Sequence, residues 1–566
     1  MDQSSRRRAG IIHLCFCVLF LGLVSRLYCV QVVSHDEQLA KRVIQTTGTT
    51  TVEKVRGRIN TSDGQILAVS CPVEYVWVNP SMISDSVGAA KILAPILGMK
   101  EAEILEKLTA PGRKMVVLKK KLTSGQCGAL RTLMTQAPFK RERRETQWRI
   151  GIGTEYRRQY PHGSVFGSAL GHESADPGHD EGLEKTLAPL LSEAPKTVAI
   201  HRDGRQNTLG APTIDLHTTE ATLTINLHLQ EVIEDKLEAA CAEFRPKWAV
   251  AIAMDPRTGA ILAIANRPTY DPNKPGDAPP GARLNRAVTF PYEPGSTLKP
   301  FTAAYALDLN LVRPDTLIDC ENGLWHHGPR GLHDHHPYAK ITLADVIKFS
   351  SNIGAAKVGA LTLGQKRLHE CMKMWGFGTR TGVDLPAEDP GLLFPLSRWT
   401  IYSETSVPMG HEISVTPLQL TAAMCAIANG GTLYKPYVVR RVTSSDGSVV
   451  VDNGPQAVRR VIGPKAAKEM VEILEGVVKD GTGKKAAVPG VRVAGKTGTS
   501  QKIDPKTKQY THEKYIASFV GFAPADDPKL CVAVILDEPQ GGSYYGGAVA
   551  APVVGQIVQH GLIYVK

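Results

Sequence analysis

The segment PYEPGSTLKPFTAA, residues 291–304, sets a serine, Ser296, three positions before a lysine, Lys299, directly behind a Glu-Pro-Gly turn. Pro294 and Gly295 place the serine at the start of a helix predicted over Ser296 to Leu309, where backbone N–H groups have no partner of their own. Residues three apart share a helix face, so the Lys299 amine lies beside the Ser296 hydroxyl, as a base beside a nucleophile. A lysine accepts a proton only when neutral, and its ordinary pKa near ~10.4 keeps it charged at neutral pH. Lowering that value by about 3 units costs about 4 kcal/mol and needs burial or a nearby cation. Lys496, in AGKTGTS at the end of a predicted strand among small residues that admit a substrate, is the candidate cation.

Alone, S-x-x-K is a weak signal, and a serine on a helix surface is its ordinary explanation. Two further motifs follow in order. FSSNIGAAK sets Ser350, Ser351 and Asn352 between two helical patterns, 54 residues after Ser296, and a Lys-Thr-Gly run begins at Lys496, 146 residues after Ser350. Three motifs in this order resemble the penicillin-recognising serine acyltransferases.

RGRINTSDGQILA at 56–68, then YRRQYPHGS and GLEKTL at 182–187, resemble the membrane-proximal signature of class B penicillin-binding proteins, with Ser62 where that family usually carries arginine. LTINLHLQ, MDPRTGAILAIANRPTYDPN, NRAVTFPYEPGSTLKP, VTPLQLTAAMCAIANGG and SYYGGAVAAPVVG extend the resemblance over most of the chain. KYIASFVGFAPADDPKL and the spacing that follows are most similar to the septal, cell-division branch, with the elongation and sporulation branches left open. Nothing in residues 34–220 resembles the glutamate motifs of a peptidoglycan glycosyltransferase, which disfavours the bifunctional arrangement.

The resemblance implies an α/β (α+β) transpeptidase fold of the penicillin-binding-protein and β-lactamase type, a five-stranded antiparallel sheet covered by helices. It implies a stem peptide ending in D-Ala-D-Ala as substrate, with Ser296 as nucleophile, Lys299 as base, and Ser350 and Asn352 bonding Lys299 and the substrate amide. Lys496, Thr497, Gly498 and Thr499 would hold the terminal carboxylate, and backbone N–H groups of Ser296 and Thr499 the oxyanion. No cofactor or metal is implied. β-Lactams would esterify Ser296, and a SEDS-family glycosyltransferase and other division proteins would be partners.

The residues themselves support this organisation. At 566 residues the chain exceeds one hydrophobic core, and 42% hydrophobic with 21% charged residues is globular composition. Arg6 to Arg8 precede GIIHLCFCVLFLGLVS and LYCVQVV, a span through Val33 long enough for the ~20 residues of a bilayer crossing. No A-x-A-like site follows, so an uncleaved anchor is expected over a cleaved signal peptide. The positive-inside rule then puts residues 1–9 in the cytoplasm, 10–33 in the membrane and the remainder outside. A non-catalytic pedestal is expected over 34–220 and the transpeptidase domain over 221–566.

From LTIN at residue 223 the pattern is clean. Leu229, Val232, Ile233, Leu237, Ala240, Cys241 and Phe244 predict an amphipathic helix. WAVAIAM and AILAIAN around DPRTG predict a hairpin, and VRVAGKTGTS, YIASFVGFAP and LCVAVILDEP a three-stranded meander, with a closing helix near AAPVVGQIVQHGL. Helices are also predicted over Thr342–Phe349, Ile353–Leu363, Pro417–Asn429 and Pro464–Lys479.

The net charge of +11, with clusters at Lys119 to Lys121 and Lys140 to Arg144, comes with no nucleic-acid module and reads as solvated faces or contact with an anionic envelope. Ten cysteines include no C-x-x-C pair, which speaks against a metal ribbon. His326, His327, His333, His335 and His336 raise a zinc reading, set against a polar hairpin before the S-x-N helix. Two functional alternatives stand: a β-lactamase or β-lactam sensor on the same fold, and an idle scaffold that anchors a glycosyltransferase.

Overall fold

The computed structural model describes residues 3–52, 55–110, 112–113, 115–136, 139, 150–174, 176, 178–192, 196–201, 218–504, 506–507 and 509–565. The basic cluster at Lys140 to Arg144 lies outside them. The chain forms two compact units, one from residues 1–55 and 193–217, the other from 56–192 and 218–566.

In the first unit an α-helix over Gln3–Tyr28 runs into a wider π turn, Cys29–Val33, and a helix over His35–Thr46 follows. Thr47–Val52 then pairs antiparallel with Lys196–His201. Ile11, Leu14, Phe16, Leu19 and Phe20 are all exposed on the first helix, an arrangement that water disfavours and lipid favours. The stretch Arg7–Val33 is long and apolar enough to cross a membrane.

The second unit is built on two sheets. One is antiparallel and five-stranded. The helix α1 (Leu227–Phe244) precedes the hairpin β1 (Trp248–Met254) and β2 (Ile261–Arg267), and the meander β3 (Ala494–Ile503), β4 (Tyr510–Ala523) and β5 (Leu530–Asp537) completes the order β3-β4-β5-β1-β2. Side chains alternate along a strand, and here size alternates with them. Val250, Ile252 and Met254 of β1 join one core, while Ala249, Ala251 and Ala253 join the other. The alanine face lets α1 and the closing helix α2 (Ala551–Gly561) lie close, with Leu229, Ile233 and Leu237 buried from one and Val554, Ile557 and Val558 from the other. The opposite face is covered by Pro417–Ala428, whose twelve residues are all buried.

The other sheet has seven strands and joins segments far apart in sequence. Glu220–Leu223 lies between Val439–Thr443 and Arg58–Asn60, and Ile66–Val78 continues beyond it. The three signature pieces of the 56–187 region meet beside this sheet. Arg56 Nη1 and Arg158 Nε reach the two oxygens of the fully buried Glu184 at 3.0 and 2.6 Å, and Arg56 Nη2 reaches Asp180 at 2.7 Å. Ser62, where the family's arginine is missing, donates its hydroxyl to the Ile225 carbonyl at 3.0 Å.

Candidate active site

The α-helix begins three residues after its predicted start at Ser296, which lies in the turn before it. Gly295–Leu298 is a 3₁₀ turn and the α-helix proper runs over Lys299–Asp308. The reason is Pro300, which has no N–H to reach the Ser296 carbonyl, so the Lys299 N–H takes that acceptor instead. The following helices are Leu343–Lys348 and Asn352–Lys357, the second passing into a π stretch over Val358–Leu363 where one continuous helix is predicted.

A cavity of about 580 Å³ opens over the serine, lined by Ser296, Ser350, Thr497 and Thr499 among others. Lys299 is 1% exposed and is hydrogen-bonded to Ser350 of the cavity wall. Its Nζ donates to the Ser350 carbonyl at 2.7 Å and to Asn352 Oδ1 at 2.8 Å, and Ser350 Oγ lies 3.3 Å away. A neutral amine has two N–H donors and one lone pair, and the carbonyl and the amide oxygen use both donors. The lone pair is left for a hydroxyl proton. Burial pulls the Lys299 pKa down to about 7, against an opposing pull from the Asp334 carboxylate. No second cation is needed for that direction, although one was expected.

Ser350 holds a left-handed backbone, φ +64°, which is strained for a residue with a Cβ. The strain turns its carbonyl onto Lys299. Asp334 then fixes the rest of the S-x-N turn. It accepts hydrogen bonds from Ser351 Oγ at 2.6 Å, from the Ile353 N–H at 3.1 Å and from the Asn352 N–H.

Lys496 is fully buried, and its Nζ bonds the Thr497 carbonyl at 3.1 Å. Burial first, then the nearby Lys299 charge, holds its pKa well below the ordinary value. Gly498 is dictated by close approach. A Cβ there would sit 2.4 Å from Ser518 Oγ and 2.9 Å from the Pro294 carbonyl, so only glycine lets β3 lie against the nucleophile turn. Thr499 Oγ1 accepts from the Gly546 N–H at 3.0 Å, and Thr497 Oγ1 is 2.8 Å from Thr482 Oγ1. The eight residues singled out in the sequence therefore converge. Ser296, Ser350, Thr497 and Thr499 face the cavity, Lys299 and Asn352 are hydrogen-bonded beneath it, and Lys496 and Gly498 form the strand beside it.

The histidine-rich stretch is a hairpin, Leu324–His327 paired with Arg330–His333. His327 Nε2 lies 2.9 Å from Glu404 Oε1, while His335 and His336 line the cavity. Asp334, Thr482 and Glu293 escaped the sequence reading. Glu293 accepts from the His411 ring at 2.9 Å, the Glu412 N–H at 3.0 Å and the Tyr510 hydroxyl, bracing the turn that carries Ser296. Asp334 caps a helix that begins 18 residues later, beyond the reach of any local capping rule.

Similar proteins match this chain over almost its whole length. Residues 249–559 match the penicillin binding protein transpeptidase domain, and residues 51–188 the penicillin-binding protein dimerisation domain. The chain is 32% identical to Stage V sporulation protein D of Bacillus subtilis, over 99% of this chain and 86% of that protein. It is 30% identical to peptidoglycan D,D-transpeptidase FtsI of Escherichia coli, over 96% and 90%. Penicillin binding protein 3 of Mycobacterium tuberculosis, solved with aztreonam, superposes with a TM-score of 0.68 at 25% identity, covering 91% of this chain and 96% of that one. With Ser296 facing the cavity, a buried Lys299, an S-x-N turn and a K-T-G strand on the matched domains, the chain belongs to the class B penicillin-binding proteins.

Proposed function

We propose that the protein is a peptidoglycan D,D-transpeptidase of septal wall synthesis, anchored by residues 10–33 with residues 1–9 in the cytoplasm. Residues 34–220 act as a pedestal and 221–566 as the catalytic domain outside the inner membrane. The observation that carries the activity is the buried Lys299 amine, three residues after Ser296, with donors used by the Ser350 carbonyl and Asn352 Oδ1.

Ser296 Oγ attacks the carbonyl carbon of the penultimate D-alanine while its proton passes to Lys299 Nζ. The tetrahedral oxyanion is met by the Ser296 and Thr499 N–H groups. The C–N bond breaks, Ser350 relays the proton to the departing amine, and D-alanine leaves. An amine of a neighbouring stem peptide attacks the ester, its proton returns through Lys299 to Ser296 Oγ, and a cross-link results. Lys496, Thr497 and Thr499 hold the donor's terminal carboxylate. β-Lactams acylate the same oxygen.

A SEDS-family glycosyltransferase and other division proteins are the partners this role calls for. Similarity to the sporulation protein at a level equal to the division enzyme supports a second reading, cross-linking of a spore wall by the same chemistry. Fluorescent penicillin imaged in cells tests both. Septal label that disappears in Ser296→Ala supports the division role, label confined to sporulating cells supports the second, and label that persists in the mutant refutes the nucleophile.

A further inference from the structure

Of the three lysines at 119–121, two are spent. Lys119 Nζ donates to the Leu97 carbonyl, and Lys120 Nζ pairs with Glu155 at 3.0 Å. Lys121 forms no ion pair among the described residues, and it holds a left-handed backbone, φ +56°, a strained conformation that persists only where the surrounding chain imposes it. Lys121 opens onto a cavity of about 470 Å³, lined also by Arg157, Gln159, Tyr160 and Asn273 among others and by no acidic residue. Side chains alternate along the strand Ile150–Gln159. Arg158, with 3% of its side chain exposed, turns inward onto Glu184, whereas Arg157, 37% exposed, lies on the other face with Gln159. Arg157 Nε reaches Glu155 at 2.6 Å, the carboxylate it shares with Lys120, so Lys120, Lys121 and Arg157 have one paired carboxylate between them. The rest of the wall is fixed. Asn273 Nδ2 donates to the Tyr160 carbonyl at 2.8 Å, and its Oδ1 accepts the Tyr160 N–H at 3.0 Å. Asp271 accepts from the Asn273 N–H at 2.9 Å and from its Nδ2 at 2.8 Å, and does not line the cavity.

The structure assigns this cavity, which shares no residue with the one over Ser296, to a phosphate ester held by Lys121 and Arg157 with Gln159 as an amide donor. The Lys121 ammonium and the Arg157 Nη1 and Nη2 groups are N–H donors without an acceptor among the described residues. A phosphate monoester brings three acceptor oxygens around one centre, which suits a guanidinium fork and an ammonium together. The volume falls within the ~300–1,000 Å³ of organic-ligand sites, so the phosphate has room for the body that carries it. A lipid headgroup and a soluble glycerol phosphate present the same group, and the site reads that shared chemistry.

The test is titration calorimetry of the full chain in a phosphate-free, non-ionic detergent. One arm adds glycerol 1-phosphate, with glycerate as the carboxylate control, and the other adds short-chain phosphatidylglycerol, with diacylglycerol as the uncharged control. Saturable binding is expected in at least one arm, and the arm that binds more tightly names the source. Lys121→Gln/Arg157→Gln should weaken it by about tenfold or more, the size of one charge-assisted contact, while benzylpenicillin labelling of Ser296 stays at the wild-type level and shows the variant folded. Lys91→Gln/Lys100→Gln, which removes the same charge from exposed lysines outside the cavity, should leave binding unchanged. No saturable binding in either arm overturns the site, as does equal affinity for glycerate and glycerol phosphate. An equal loss in the two double variants overturns it too, because net charge alone would then draw the anion.

Discussion

The five-stranded catalytic sheet and the region of residues 56–192 are held together in different ways. The sheet is sealed by apolar alternation, large residues on one face and alanines on the other, and at the site the buried Lys299 and Lys496 form no ion pair among the described residues. The 56–192 region sets a buried carboxylate, Glu184, between two arginines. In one place burial pulls a lysine's pKa down; in the other it is compensated by paired charge. The difference separates a position built for chemistry from one built for shape.

Four measurements strain that contrast, beginning with the largest effect. Ser296→Ala should abolish covalent penicillin uptake altogether, with thermal unfolding near wild type because the cavity-lining hydroxyl makes no hydrogen bond among the described residues. Mass spectrometry of the Ser296 peptide reads the first and calorimetry the second. Glu184→Ala should do the reverse. Leaving Arg56 and Arg158 without their shared carboxylate should lower stability by about 3–5 kcal/mol, with the surviving folded protein acylated at the wild-type rate. Denaturant unfolding beside a labelling time course would show it, and a parallel loss of label in folded protein would erase the distinction drawn here.

Two smaller effects concern Lys299. Its pKa of about 7 lies below the unfolded value of about 10.4, so between those limits the unfolded chain binds more protons. This group therefore makes stability rise with pH from about 7 upward and flatten near 10.4, which unfolding midpoints across that range can detect. Asp334→Asn removes the charge that opposes the shift, so the acylation limb should move to lower pH, with the rate above it falling by no more than about tenfold as part of the turn's capping is lost.

How much of this was legible before any coordinates follows the same contrast. Strands such as WAVAIAM and LCVAVILD are written in continuous apolar runs, and Pro464–Lys479 forms over its predicted bounds, because burial and period speak locally. The order of the S-x-x-K, S-x-N and K-T-G motifs was likewise readable, and each of them contributes a residue to the wall of one cavity. The 56–192 region gave only fragments, since its sheet recruits Val439–Thr443 and Val449–Asp452 from far along the chain and its ion pairs join residues up to 162 apart. Asp334 was invisible for the same reason. The cause of the Lys299 shift was readable only in part: burial was one of two candidates, and the structure makes it the first.

The most direct test of the account is the rate of Ser296 acylation by benzylpenicillin as a function of pH. If burial makes Lys299 the base, the rate climbs through an apparent pKa of about 7 and levels above it. A rate that keeps climbing toward the ordinary lysine value of ~10.4, or one indifferent to pH from 5 to 9, would contradict it.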